Sequence, residues 1–193
     1  MENLVCLKKK IEDIIKKSSV PEDPMHSKNT LKWLLKLKTN ADEALKIAAL
    51  GHDIERAIEE RKIKRSDYKT YDAFKDAHAL NSAKIIVEIM KDCKINQEST
   101  DDVHFLVRHH ECGGDNRINV LRDSDTISFF DVNLQFYFKR NDEKETKKRW
   151  LWGYNKLPSN LKNIVAEFNY RDKKLKSLVD TWIADDKRVY DAR

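Results

Sequence analysis

A chain of 193 residues, 40% of them hydrophobic, is long enough for one domain with a sizeable core and too short for two full ones. Four glycines and three prolines leave little material for hairpins, and the Lys-, Glu-, Leu- and Ala-rich runs favour helices. The formal charge is +5, and residues 141–193 hold 13 Lys plus Arg against 9 Asp plus Glu, a bias that suits anionic ligands but is too mild to define a nucleic-acid binder.

Residues 4–17 predict a short amphipathic helix with Leu4, Leu7, Ile11 and Ile14 or Ile15 on one face. A turn from Ser18 to Asp23, marked by Pro21 and followed by Pro24, stops it. His26 to Lys38 is the second helix, with His26 in its first turn and Leu31, Leu34, Leu35 and Leu37 turned inward. Asp42 to Ile58, DEALKIAALGHDIERAI, reads as one central helix capped by Asn40 or Asp42 and apolar on nearly every side through Leu50. Directly after that run come His52 and Asp53. An imidazole and a carboxylate leaving a buried helix need partners, because unpaired polar groups in low dielectric cost on the order of several kcal/mol. A metal ion satisfies both, and the alternative is an ordinary surface pair.

Arg61 to Thr70 is charged and irregular, a surface loop. Tyr71 to Cys93 is a long helix whose apolar lane, Tyr71, Phe74, Ile85 and Ile89, includes His78 and Ser82. Thr100 can cap a helix running to Glu111, which Gly113 and Gly114 end. Ile118 to Phe138 is another long helix, in which Ile118, Leu121, Phe129, Val132 and Phe136 share a face with Asp125. After a polar break at Arg140 to Glu145, further helices run over Lys147–Asn155, Ser159–Tyr170 and Asp172–Asp185. No internal repeat or linker divides the chain, so the expectation is a single all-α domain over residues 1–193.

Cys6, Cys93 and Cys112 are odd in number and lack paired spacing, as free thiols in a reducing compartment would. The N-terminal MENLVCLKKKIEDIIKK lacks the uninterrupted apolar stretch of a signal peptide, and no later segment is apolar enough to span a bilayer. The expectation is a cytoplasmic protein with no membrane partner.

One histidine on a core face is more often hydrogen-bonded than a ligand. Here five histidines and two aspartates occupy such positions on five predicted helices, and a bundle can converge inward side chains on one site. The order is His26, then His52-Asp53, then His78 in DAHALNSAKII, then His109-His110 in VRHHE, then Asp125 in LRDSDTISFFD. This resembles the HD superfamily of metal-dependent phosphohydrolases, with its H…HD…D core. The two intervening histidine elements are similar to those of its dimetal members, including the HD-GYP phosphodiesterases. HHE continues here as CGGDNRINV rather than D-G-x-G-Y-P, so the resemblance does not extend to cyclic-dinucleotide hydrolysis.

The resemblance covers about residues 22–132, leaving a C-terminal helical extension over about 141–193. It implies an HD-type helical bundle in which His26, His52, Asp53 and Asp125 hold one ion. Asp53 would bridge to a second ion held by His78, His109 and His110. Asp125 is preferred to Asp123 because it shares the inward face with Leu121, Phe129 and Val132. Glu22, one turn before His26, is a ligand only in some members, and His104 matches nothing.

Imidazoles and carboxylates without cysteines suit one or two divalent transition ions, Fe, Mn, Co, Ni or Zn, with Mg a further option. Such an ion lowers the pKa of bound water towards neutrality and arms it as a nucleophile against phosphorus. The expected function is hydrolysis of a phosphomonoester or phosphodiester, with a nucleotide as the small-molecule partner and Asp53 and Arg56 as catalytic groups. Arg56 lies one turn after Asp53 and could reach a phosphate; Lys75 and Arg122 are weaker candidates. Trp150, Trp152 and Tyr154 could stack on a base, although aromatic residues at that spacing more often form core. The rival expectation is a catalytically silent metal- or nucleotide-binding sensor domain.

Overall fold

Ten α-helices account for most of the chain in the computed structural model, which describes residues 2–191 in backbone and side chains through residue 186. They are α1 (Glu2–Ile15), α2 (Asp23–Leu37), α3 (Glu43–Gly51), α4 (Tyr71–Asp92), α5 (Gln97–His109), α6 (Asn116–Ser128), α7 (Leu134–Arg140), α8 (Glu143–Tyr154), α9 (Ser159–Ala166) and α10 (Lys173–Asp191). The described residues contain no strand, so the fold class is all-α. None of these helices is long and apolar enough to cross a membrane. The chain divides into two compact units, Met1–Asp125 and Thr126–Arg193.

In the first unit α4 and α5 lie against each other over most of their length, α3 packs between α2 and α5, and α1 crosses α3 and α4. Leu7, Ile11, Leu34, Leu45, Ile54, Ile86, Met90, Leu106 and Leu121 are fully buried in its core. A short turn makes α4 and α5 neighbours. Lys94 takes a left-handed φ of 55°, and the N–H groups of Lys94 and Ile95 donate to Lys91 and Met90 carbonyls at 2.9 and 3.0 Å. That pair of hydrogen bonds closes the end of α4, and Ile95 packs against the core.

The predicted helix over Asp42–Ile58 stops at Gly51. Two of its final carbonyls are claimed from the side: Ser27 Oγ on α2 donates to Leu50 O at 2.6 Å, and His52 Nδ1 contacts Ala49 O at 3.0 Å. A short 3-10 turn, Ile54–Ala57, follows, so Arg56 stands on that turn rather than on a helix shared with Asp53. At Gly51 α3 comes close to α4, and a Cβ there would require the end of the Ile86 side chain to shift.

Other boundaries shift for local reasons. Asn96, not Thr100, caps α5: its side chain accepts from Ser99 N at 2.8 Å, while Thr100 is buried and donates to Asn96 O. Of the leucines expected inside α2, Leu34 is buried but Leu35 is exposed. Two further 3-10 turns, Glu59–Arg61 and Arg65–Asp67, punctuate the expected surface loop. The long helix predicted over Ile118–Phe138 is interrupted by a π turn at Phe129–Asn133. The cysteines depart from expectation too. Cys6 and Cys93 form a disulfide with Cα atoms 5.9 Å apart, joining α1 to the end of α4 across 87 residues, and only Cys112 is a free, exposed thiol. The free-thiol argument for a cytoplasmic address therefore lapses.

In the second unit Trp150 is fully buried, stacked on Tyr154 at 4.3 Å and met by Phe130 and Trp182 at 6.0 and 5.5 Å between ring centroids. Trp150 and Tyr154 are core, as the aromatic spacing allowed, and are spent on each other rather than open to a base. Trp152 is flanked by Lys156 Nζ at 3.4 Å and the Arg149 guanidinium at 4.7 Å.

Asn96→Ala removes a side-chain cap and should cost about 1 kcal/mol in urea unfolding, an effect that Thr100→Asn does not restore. Thiol titration of the unfolded, unreduced protein should detect Cys112 alone; three reactive thiols would contradict the disulfide.

Candidate metal centre

The residues that end α3 and α5 meet the first half of α4 at His78, and His26 near the start of α2 meets Asp125 on α6 beside them. His26 comes from α2, His52 and Asp53 from the end of α3, His78 from α4, His110 from just past α5, and Asp125 from α6. His26, His52, His78 and His110 are almost completely buried. His26 Nε2 lies 2.9 Å from Asp125 Oδ1, His52 Nε2 lies 3.2 Å from the same oxygen, and the two Nε2 atoms are 3.2 Å apart. Donors about 2.0–2.2 Å from a common ion stand about 3.0–3.5 Å from one another, so these spacings fit one cation. Asp53 Oδ2 is 3.8 Å from His26 Nε2 and Oδ1 is 3.7 Å from His52 Nε2. The groups His26–His52–Asp125, His52–Asp53–His110 and His78–His110–Glu111 could each hold a metal ion.

The backs of the imidazoles decide which nitrogen faces inward. His52 and His110 both sit at a helix C-terminus, and each uses Nδ1 on a carbonyl three residues earlier, Ala49 O at 3.0 Å and Val107 O at 2.7 Å. Since a carbonyl only accepts, Nδ1 carries the proton and Nε2 offers its lone pair to the site. His78 stands mid-helix, where backbone carbonyls are already taken, and turns Nδ1 to Glu55 Oε1 at 2.6 Å instead. Its Nε2 meets Asp53 Oδ1 at 2.7 Å. Glu55 is buried, and its second oxygen accepts from Ile63 N at 2.7 Å, tying the turn after α3 to His78.

Two cations flank the cluster. Arg56 reaches Asp23 Oδ1 at 2.9 Å and Asp53 Oδ2 at 3.4 Å. Lys75, buried one turn before His78, is ion-paired with Glu111. Arg122 is held along Asp123 at 2.7 Å and packs against Gly113, whose φ of 77° and missing Cβ make room for the guanidinium.

Charge is balanced inside the cluster. Burial opposes charging of His52, but Asp53 and Asp125 outweigh it and raise its pKa to about 9. Burial opposes the Asp53 and Asp125 carboxylates as well. His52 with His78 holds Asp53, and His52 with His26 holds Asp125, well below the usual carboxylate range. Lys75 and His110 overcome burial at Glu111 and lower it.

Six of the seven expected ligands therefore meet. His109 does not: it is half-buried, and its ring lies 4.9 Å from that of Phe105, which is 46% exposed. His110 with Glu111 faces the cluster instead. The signal was available, because Val103, Leu106 and Val107 are buried and the same helical spacing continues through His110 and Glu111. Glu55, Asp23 and Glu111 were missed: Glu55 stands in a charged run that reads as solvated, and Asp23 and Glu111 stand at turns marked by Pro24 and Gly113. Glu22 is buried beside them, Asp123 pairs with Arg122, and His104 is half-buried.

What fold and site define is an all-helical chain with buried histidine–carboxylate clusters able to hold a metal ion. The chain belongs to the family described as "Domain of unknown function (DUF4202)", whose family model matches residues 8–179. No curated protein and no solved structure matches it.

Metal-free protein should respond to pH in two directions. The raised pKa of His52 contributes stability that is complete below its ordinary value of 6.5 and is lost as pH rises through about 9. The lowered Asp53 and Asp125 contribute stability present above their ordinary 3.8 and lost as pH falls through their depressed values. Thermal melts in chelator should accordingly fall between pH 6.5 and 9. Added Mn should raise the melting temperature more at the upper end of this range, because ligation requires an unprotonated imidazole. A flat chelator profile would count against the cluster.

Proposed function

We propose that this protein is a metal-dependent phosphohydrolase of the HD type, acting on a phosphomonoester or phosphodiester of the nucleotide class. The observation that carries this reading is the meeting of His26, His52 and Asp125 at spacings that suit a single cation, with Asp53 at 3.7–3.8 Å from the two imidazoles. His26, His52, Asp53 and Asp125 would hold the ion, with Fe, Mn, Co, Ni or Zn favoured by the imidazole and carboxylate donors. When bound, that ion supplies a water of lowered pKa and charge against the phosphoryl oxygens.

The chain's own residues supply the rest. Ala49 O and Val107 O fix the tautomers of His52 and His110, so neither ring needs to reorient. Asp53 turns one oxygen to His78 and the other towards His26 and Arg56, which places it between the donor cluster and the forked guanidinium. Arg56 is 30% exposed, so it alone of the two flanking cations reaches the surface, where it can take phosphate oxygens in the bidentate manner of guanidinium. Asp23 steadies it there.

A second reading, a metal-binding domain without turnover, draws on one observation. Arg56 and Lys75 already have carboxylate partners, so their charge is matched before any phosphate arrives.

A panel of aryl phosphates, aryl phosphodiesters and nucleotides, run with several divalent metals, separates the two. His52→Ala and Asp53→Ala should each lower hydrolysis on the order of a hundredfold or more, with a parallel loss of bound metal. Unaltered turnover in both variants would reject the enzyme, and bound metal without hydrolysis of any substrate would favour the silent domain.

A further inference from the structure

The resemblance carried by the sequence implies two ions, and His78, His110 and Glu111 lie close enough to hold the second, but a cation of the chain's own already stands there. We infer that this chain holds a single ion, at His26, His52, Asp53 and Asp125, and that the Lys75 ammonium supplies the second positive charge beside His78, His110 and Glu111. This rests on the reading above that the first cluster binds metal.

Three observations carry it. His109, which the resemblance assigns to the second ion, is turned away onto Phe105. His78 is engaged already, Nδ1 by Glu55 at 2.6 Å and Nε2 by the Asp53 oxygen at 2.7 Å that would have to be shared with a second ion. The Glu111 oxygen that lies 3.4 Å from His110 Nε2 is the same oxygen that carries the Lys75 ammonium. What remains is His110 Nε2, a buried atom without a hydrogen-bond partner and 4.0 Å from Asp53 Oδ1. With Lys75 on Glu111, that atom is the one ring nitrogen of His78 and His110 left free for a divalent ion, which takes several ligands.

Lys75 is well placed for the substitution. It is on α4 one turn before His78, so the helix that delivers the histidine also delivers the ammonium, and the side chain is only 11% exposed. A covalently attached cation compensates the same carboxylates at every metal concentration. A divalent ion arriving beside it would meet like charge at short range.

Metal counting tests this with no reference to activity. The full chain is loaded with excess Mn, desalted and assayed for Mn per chain, and the wild type is expected to hold one. Lys75→Met, which keeps the length of the side chain and removes its charge, should double that count. Two ions in the wild type would overturn the inference and leave the phosphohydrolase reading standing, whereas none would overturn both. One ion in both proteins would remove the role given to Lys75. Should Lys75→Met not fold, the electron paramagnetic resonance spectrum of the loaded wild type decides. The pattern of an isolated Mn ion supports the inference, and that of a coupled pair overturns it.

Discussion

Burial makes an imidazole reluctant to charge and a carboxylate reluctant to ionise, and the first unit is arranged so that each offsets what burial costs the other. His26 and His52 converge on one oxygen of Asp125, and His78 takes an oxygen of Asp53. Removing either aspartate would strand buried histidines, and the reverse holds as well. Five elements must therefore arrive together, because no single helix supplies a self-sufficient pair.

The same logic explains how the rings are oriented. A helix end has carbonyls to spare, so His52 and His110 can be locked by their own chain. Mid-helix there is none, and His78 requires the long-range help of Glu55. Glu55 also takes the amide of Ile63, so the charged segment between α3 and α4 is anchored to the centre through a side chain. A purely solvated loop would have no such attachment.

Helical class was legible because apolar residues recur at the right period, and α4 was legible almost to the residue. Its lane of Tyr71, Phe74, His78, Ile85 and Ile89 is continuous, and Thr70 caps it. The face of α6 that turns Asp125 rather than Asp123 towards His26 could also be read from spacing. What escaped depends on partners distant in sequence. The end of α3 is fixed partly by Ser27, on another helix, and no pattern within Asp42–Ile58 reports that. Glu55 looks like a member of a charged run, and Glu111 like a helix-end residue, until His78 and Lys75 are seen beside them. His109 and His110 are different: helical rotation sends the neighbours in different directions, and the apolar lane of Val103, Leu106 and Val107 already pointed to His110 as the inward one.

The cross-link between Cys6 and Cys93 also has a topological meaning. It encircles the segment bearing His26, His52, Asp53 and His78 in one covalent ring, while His110, Glu111 and Asp125 lie on the strand of chain that leaves it. A break in the backbone anywhere inside the ring, in the exposed turn around Arg65–Asp67 for instance, opens the ring without releasing a fragment. The four ring-borne residues would stay tethered to the other three, and the centre could survive a cut that would separate its parts in an open chain.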